Sequence, residues 1–85
     1  MSYAIFILRR AQKEMAKLSP EVYGRIKEAI WNLKDNARPT ISKKLTGREG
    51  WCIRIGNYRV IYEIDDINRI ITILHVGHRR DVYRF

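Results

Sequence analysis

The stretch NYRVIYEI, residues 57–64, alternates large apolar side chains with polar or charged ones. A period of two among β-branched and aromatic residues predicts a β-strand. The face predicted to lie on the core carries Tyr58, Val60, Tyr62 and Ile64. The opposite face carries Arg59, which is either a charge that protects an exposed sheet against aggregation or a fixed cation for an anionic ligand.

Two neighbouring stretches extend this strand into a meander. Residues 51–55, WCIRI, alternate in the same way and are followed by the turn dipeptide Gly56-Asn57, which predicts a β-hairpin. After a second turn at residues 65–68, the run RIITILHVG at 69–77 predicts another strand. Strands that follow one another through such short turns are antiparallel.

The beginning of the chain predicts one strand and a first helix. Residues 3–8, YAIFIL, are apolar on both faces, which is typical of a strand that is covered on both sides. The apolar spacing then changes to the steps of three and four residues that are typical of a helix. The apolar face of this helix is formed by Leu8, Ala11, Met15 and Leu18.

A second helix is predicted to begin at residues 19–21, SPE. Serine caps a helix, proline fits its first turn, and glutamate suits the positive end of the helix dipole. The helix ends near KDNARP at 34–39, and residues 36–50 are predicted to form a loop. Its apolar face is formed by Val22, Ile26, Ala29, Ile30 and Leu33.

The order of these elements, β-α-α-β-β-β, determines the fold class. Two helices joined by a short link form a helical hairpin. The sequence therefore predicts an α+β fold, in which an N-terminal helical hairpin packs on one face of a small antiparallel β-sheet. At 85 residues, the whole chain 1–85 is expected to form a single domain.

The charge of the chain points to an anionic partner. There are 17 Lys+Arg residues and 9 Asp+Glu residues, which gives a formal net charge of +8. Basic residues occur in both halves of the chain, so this is not a basic tail on a neutral body. A nucleic acid is the most common partner of such a protein, although an acidic protein and an anionic membrane surface also have complementary charge.

Several classes of protein are disfavoured by the sequence. No apolar run reaches the roughly 18 residues that a membrane-spanning helix needs, and the N-terminal charges do not follow the order of a secretory signal. Cys52 is the single cysteine, and no Cys/His cluster has metal-ligand spacing. We therefore expect a cytoplasmic protein that does not bind a membrane, a metal or another cofactor.

Basic and aromatic residues are predicted to converge at one end of the sheet. Two arginines flank the Gly56-Asn57 turn, and other candidates follow the last strand. Guanidinium groups bind phosphate in a forked geometry, and an aromatic side chain stacks on a base or presents a phenol. These residue types suit a phosphodiester ligand. The residues predicted to converge are Arg54, Arg59, Arg79 and Tyr83, and His78 leaves the end of the last strand beside Arg79.

Each candidate also has an ordinary structural alternative. Arg54 and Arg59 can be solvated surface charges, and Glu63 is a cross-strand partner for Arg54. His78 can be an exposed histidine, and Tyr83 can anchor the C-terminus by packing.

The loop and the remaining aromatic residues have similar alternatives. Lys43 and Lys44 can be solvated loop charges. Cys52, Trp31 and Trp51 are expected to be packing residues, in the core or at its rim.

The segments KLTGREGWCIRIGNYRVIYEID (44–65) and ITILHVGHRRDVY (71–83) together resemble the RelE family of toxin–antitoxin ribonucleases, within the RelE/ParE superfamily. The resemblance extends over nearly the whole chain. It implies the fold predicted above and a toxin that cuts mRNA in the ribosomal A site without a metal. It also implies a RelB-like antitoxin, acidic to neutral, that wraps the toxin and covers its basic surface.

The resemblance assigns roles to individual residues. Arginine, arginine and tyrosine positions of the family's active site match Arg59, Arg79 and Tyr83, while His78 is a rival acid or base. Two strand lysines of the family match Gly50 and Cys52, so that pair is missing from this chain. RNA or ribosome binding, including contact with 16S rRNA, is expected from the remaining basic residues Arg54, Lys43, Lys44, Arg48, Arg80 and Arg84.

Two other functions fit the same charge and fold. A ParE-like toxin shares the fold but inhibits DNA gyrase and has no nuclease chemistry. A basic module without enzymatic activity would bind RNA or DNA through phosphate contacts.

Overall fold

The computed structural model describes residues 2–78 of the chain. In this range, two helices pack on one face of a five-stranded sheet with the strand order β1-β5-β4-β3-β2. The predicted α+β fold class is confirmed. The elements are β1 (Ala4–Ile7), α1 (Arg9–Ala16), α2 (Pro20–Asn32), β2 (Ser42–Lys44), β3 (Trp51–Ile55), β4 (Tyr58–Asp65) and β5 (Ile70–His78).

The helical hairpin forms as the sequence predicts. Ala11 and Met15 of α1 are buried against the sheet. The hydroxyl oxygen of Ser19 accepts a hydrogen bond from the backbone N–H of Val22 at 3.4 Å, and Pro20 is the first residue of α2. Serine caps the helix and proline starts it, because neither role requires an intrahelical N–H at that position.

The sheet differs from the prediction in two ways. β1 pairs with β5 in parallel, so the sheet is mixed rather than wholly antiparallel. A short strand, β2, lies within the predicted loop 36–50 and pairs with β3. Its sequence, SKK, has no apolar alternation, and its strand conformation follows from the hydrogen-bonding partner that β3 offers.

The main core lies between the helices and the sheet. The apolar face of β4 belongs to it, as the alternation at residues 57–64 predicts. The opposite face of the sheet has a smaller cluster, in which Leu45 and Leu74 pack against the buried Cys52 and Ile61. The main core contains Ala11, Met15, Ile26, Ile30, Leu33, Ala37, Ile53, Val60, Tyr62, Ile71, Ile73 and Val76.

Beyond the end of β1, the edge of β5 forms a hydrogen bond with a side chain of helix α1. The Glu14 Oε1 atom accepts a hydrogen bond from the backbone N–H of Val76 at 3.0 Å, and Glu14 Oε2 lies 3.5 Å from Nδ1 of the buried His75. Burial lowers the pKa of His75, and the positive charge of Arg10 acts in the same direction, while Glu14 opposes the shift. Glu14 thus satisfies a backbone donor that β1 is too short to reach.

The segment between α2 and β2 is held by a buried tyrosine. The Tyr62 hydroxyl donates a hydrogen bond to the carbonyl oxygen of Ala37 at 2.8 Å. Burial raises the pKa of Tyr62 to about 12. The phenol therefore stays protonated at neutral pH and remains a donor.

Tyr62→Phe is expected to lower the free energy of unfolding by about 1–3 kcal/mol, because it leaves the buried Ala37 carbonyl without this donor. Urea-induced unfolding measures the loss. Tyr23→Phe removes a hydroxyl from a residue that is 39% exposed, and its unfolding midpoint should match that of the wild type. Equal midpoints for both variants would show that the Tyr62 hydrogen bond does not contribute to stability.

An ion pair joins the other end of the sheet to the chain after α2. Asp66 accepts hydrogen bonds from the Tyr3 hydroxyl at 2.6 Å and from Arg38 at 2.8 and 3.3 Å. The hydrogen bond from Arg38, aided by that from Tyr3, lowers the pKa of Asp66 to about 2.

This pKa predicts a loss of stability in acid. The unfolded chain binds a proton at Asp66 at a higher pH than the folded chain does, so the free energy of unfolding should fall as the pH drops from 3.8 to about 2. Asp66→Asn should reduce the slope of unfolding free energy against pH in this window. Urea unfolding at several pH values tests this, and an unchanged slope in Asp66→Asn would contradict it.

Within residues 2–78, no helix combines the length and the apolar character needed to cross a membrane.

Candidate functional site

Two arginines stand side by side on the face of the sheet that the helices leave open. Arg54 of β3 and Arg59 of β4 are directly opposite each other in the antiparallel register, and Arg59 is opposite Gly77 of β5. Opposed residues project from the same face, and like charges in such a pair are destabilising. An anion bound between the two guanidinium groups would relieve this repulsion, and Gly77 leaves room for it beside Arg59. The pair is therefore a candidate anion site.

The hairpin turn brings these arginines together. Gly56 has a φ of +59°, a left-handed conformation that glycine adopts without steric cost, and only one further residue separates it from β4. The Arg54 Nε atom donates a hydrogen bond to the carbonyl oxygen of Gly56 at 3.3 Å. This bond directs the Arg54 side chain along the turn.

The open face forms a groove with a cavity volume of ≈ 850 Å³, whose walls come from β2, β3, β4 and the loop before β3. We call it the basic groove. Among the described residues that line it, none is acidic, so this part of the groove has the electrostatic character of an anion site. Apolar lining comes mainly from Ile41, Leu45, Cys52 and Ile61, and its basic residues are Lys43, Lys44, Arg48, Arg54 and Arg59.

Cys52 lies in the floor of the basic groove between two cations. Lys43 of β2 is directly opposite Cys52 in the register. Burial raises the pKa of the Cys52 thiol, although a hydrogen bond with Arg59 and the positive charges of Arg59 and Lys43 oppose the shift. The thiol is 5% exposed and stays neutral, so Cys52 packs as the sequence predicts.

His78 occupies a different side of the sheet from Arg59. It is opposite Tyr58 in the register, and the two rings meet edge to face with centroids 5.8 Å apart. Tyr58 packs against the main core on the helix side. His78 therefore lies on the helix side of the sheet, whereas Arg59 projects from the open face.

The predicted site is only partly covered by the structure. Arg54, Arg59, the β2 residues Lys43 and Lys44 and the loop residue Arg48 are brought together in the basic groove. Four further predicted residues, Arg79, Arg80, Tyr83 and Arg84, lie outside the described residues.

Sequence reasoning missed two features of this site. Ile41 and Thr46 line the basic groove, although neither carries a chemical signal in the sequence. Lys43 was expected on a loop, whereas it stands on β2 with a fixed register. Within residues 2–78, no group of three or more metal-ligating side chains is placed to hold a metal ion.

Comparison with known proteins identifies the family. Residues 5–83 match the family model of the ParE toxin of the type II toxin–antitoxin system parDE. The chain is 29% identical over 86 residues to the toxin RelG of Mycobacterium tuberculosis, with 99% of each chain covered. It is 33% identical over 88 residues to the putative toxin RelE1 of Methanocaldococcus jannaschii, covering 99% of this chain and 98% of the relative.

A solved structure supports the same assignment. The toxin–antitoxin complex RelBE2 of Mycobacterium tuberculosis contains a chain that superimposes with a TM-score of 0.83 at 27% identity, covering 93% of this chain and 100% of the other. The fold and the length of the chain agree with these relatives. The chain therefore belongs to the RelE/ParE superfamily of type II toxin–antitoxin toxins.

Proposed function

We propose that this toxin is a ribosome-dependent endoribonuclease that cleaves mRNA in the A site and so inhibits translation. The observation that carries the proposal is the basic groove, in which Arg54 and Arg59 are opposed on a rigid hairpin. The groove has the charge and the rigidity needed to hold a scissile phosphate whose negative charge increases in the transition state. The resemblance of the 44–65 and 71–83 segments to RelE ribonucleases supports the same reaction.

The proposed reaction needs no metal. The 2′-hydroxyl of the codon attacks its own phosphate, a bond forms between the 2′-oxygen and phosphorus, and the bond to the 5′-oxygen breaks. The products are a 2′,3′-cyclic phosphate and a 5′-hydroxyl. Such a step needs a base for the 2′-hydroxyl, cations for the phosphorane and an acid for the leaving oxygen.

The proposal divides these roles among the predicted residues. Arg59 and Arg79 stabilise the phosphorane, and Tyr83 is the candidate base, since nearby arginines favour its phenolate form. His78 remains a rival acid or base by sequence. The ring contact between His78 and Tyr58 instead favours a structural role for His78. It would hold the end of β5 against β4, next to the pair formed by Arg59 and Gly77.

The remaining basic residues are proposed to bind RNA. Lys43, Lys44, Arg48 and Arg54 line the basic groove, where they would hold the mRNA and the adjoining 16S rRNA. Arg80 and Arg84 are proposed to extend this contact. The ribosome would then supply part of the substrate geometry, which fits a groove whose described lining residues include no carboxylic acid or histidine.

We also propose a RelB-like antitoxin as the neutralising partner, encoded next to the toxin. A similar solved chain is part of the RelBE2 toxin–antitoxin complex. An acidic-to-neutral antitoxin would cover the basic groove by charge complementarity and displace RNA. The proposed substrate, translating ribosomes, places the toxin in the cytoplasm.

A purified translation system tests the ribonuclease. Wild-type toxin should cut mRNA at the A-site codon of programmed ribosomes and cut the same naked mRNA far more slowly. A 2′-deoxy nucleotide at the scissile position should abolish the cut, because the nucleophile is missing. Equal rates on naked and ribosome-bound mRNA would contradict ribosome dependence, and cleavage of the 2′-deoxy substrate would contradict 2′-hydroxyl attack.

A second candidate function is inhibition of DNA gyrase. The match of residues 5–83 to the ParE family model favours it. A supercoiling assay with purified gyrase separates the two functions. Loss of supercoiling without mRNA cleavage would favour the gyrase toxin, whereas A-site cleavage with normal supercoiling would favour the ribonuclease.

A further inference from the structure

One side of α2 carries aromatic and basic residues that are exposed or half-buried. Tyr23, Lys27 and Trp31 follow one another at intervals of four residues, and Lys34 continues the same side just beyond the helix. Trp31 is 59% exposed, contrary to its expected place in or near the core. The Lys34 Nζ atom lies 4.2 Å from the centroid of the Trp31 ring. We call Tyr23, Lys27, Trp31 and Lys34 the α2 stripe.

The α2 stripe lies beside the buried side of α2 and away from the basic groove. The adjacent side of α2, roughly 90° around the helix from the stripe, is buried against the sheet by Ile26, Ile30 and Leu33. The basic groove lies on the far face of that sheet. At 3.6 residues per turn, the helix acids Glu21 and Glu28 lie roughly 100° or more around the helix from the centre of the stripe. The stripe is therefore a positive and aromatic surface.

Gly24 leaves bare backbone beside the α2 stripe. It lies in the interior of α2, where glycine destabilises a helix relative to alanine. A Cβ atom at this position would meet nothing within 4 Å, so packing within residues 2–78 does not require glycine. Gly24 is one residue from Tyr23 and, two helical turns before Trp31, lies on nearly the same side of the helix. A ligand can therefore approach the helix backbone closely here.

We propose that the α2 stripe is a second RNA contact, separate from the basic groove. An unpaired base stacks on Trp31, and the neighbouring phosphates bind Lys27 and Lys34. The inference rests on the proposed function, under which this RNA is part of the ribosome. Aromatic rings interleaved with ammonium groups are the surface that unpaired nucleic acid recognises, whereas lysine is depleted in the core of protein–protein interfaces.

The basic groove would affect the maximal cleavage rate, whereas the α2 stripe would affect the affinity for the ribosome. The basic groove holds the reacting phosphate, while the α2 stripe only holds the ribosome. Loss of the stripe should therefore raise the ribosome concentration that gives half-maximal cleavage and leave the maximal single-turnover rate unchanged. Trp31→Ala should raise that concentration about tenfold, which is the range of one lost base stack.

Matched lysine pairs test whether the stripe itself matters. Lys27→Ala/Lys34→Ala should weaken cosedimentation with programmed ribosomes and lower the slope of log affinity against log salt by about 1.5–2, as expected for two phosphate contacts. Lys13→Ala/Lys17→Ala removes the same charge from an exposed position of α1 and from the exposed residue just after it, and should change the affinity by less than about twofold. Trp31→Phe keeps an aromatic ring and should bind nearly as the wild type does.

The fluorescence of Trp31 provides a direct measurement of its proposed contact with RNA. In a Trp51→Phe variant, Trp31 is the one remaining tryptophan of the chain, and an RNA hairpin with an unpaired loop should quench its fluorescence more than a fully paired duplex of equal length. Circular dichroism of each variant confirms that it is folded.

Three outcomes would overturn the inference. Equal losses in the two lysine pairs would show that total charge alone sets the affinity. Loss of antitoxin binding with unchanged ribosome affinity would assign the stripe to a protein partner. Wild-type affinity in both Trp31→Ala and the stripe lysine pair would exclude any contact. Cosedimentation does not require cleavage, so an inactive wild type would refute the proposed function while the stripe is still tested.

Discussion

Under the proposed function, Arg59→Ala is expected to lower the maximal rate of A-site mRNA cleavage by about 10²–10³-fold, the cost of removing one preorganised group that stabilises transition-state charge. Arg59 stands on β4 between Arg54 of β3 and Gly77 of β5, so its position is fixed by two strands. Arg54 is directly opposite but hydrogen-bonds to the turn at Gly56, so it does not replace Arg59. The loss should appear in the rate rather than in ribosome affinity, since many other basic residues contribute to binding.

Single-turnover cleavage on programmed ribosomes measures this rate. Arg9→Ala removes an exposed arginine from α1, outside the basic groove, and should retain the wild-type rate. Arg59→Lys keeps the charge but loses the forked donor geometry, so it should fall between the wild type and Arg59→Ala. A variant Arg59→Ala that cleaves at the wild-type rate would remove Arg59 from the reaction.

Ile73→Ala is expected to lower the free energy of unfolding by about 2–5 kcal/mol. Ile73 is fully buried, lies opposite Ile7 in β1 and Tyr62 in β4, and its carbonyl oxygen accepts a hydrogen bond from the Leu8 N–H at 3.0 Å. The truncated side chain would leave a cavity where both strands meet the main core. Domains of this kind have a total stability of about 5–15 kcal/mol, so the loss is a large share.

Urea-induced unfolding measures this effect as a lower midpoint. Ile67→Ala is the matched control, because it makes the same chemical change at a side chain that is 93% exposed in the turn before β5. Its effect should stay within about 0.5 kcal/mol. Similar midpoints for the two variants would show that Ile73 is not part of the cooperative core.

The sequence predicts most of the fold because most elements have strong local patterns. The alternation at 51–55 and 58–64, the Gly56-Asn57 turn and the cap at Ser19 each determine their own segment. β2 has no such pattern, since Ser42–Lys44 becomes a strand only through its pairing with β3. The parallel pairing of β1 with β5 is likewise a long-range contact, which no local window contains.

In the candidate site, too, positions set by a local turn could be predicted from the sequence, whereas positions set by pairing between distant strands could not. Arg54 and Arg59 could be placed together from sequence because a tight turn joins their strands. The position of Lys43 opposite Cys52 depends on β2 and could not be predicted. The side occupied by His78 depends on a bulge in β5: Ile61 is opposite His75, whereas Tyr62 is opposite Ile73, so Leu74 is an extra residue that shifts the alternation.

The pairing of β1 with β5 determines when a newly synthesised toxin can complete its fold. β1 is the first element to be synthesised, but its partner β5 begins at Ile70, so the sheet cannot close until nearly the whole chain has emerged from its ribosome. Contacts between such distant segments also form slowly. A newly made toxin therefore passes through a period without its finished sheet, during which an antitoxin present nearby can meet it before the fold is complete.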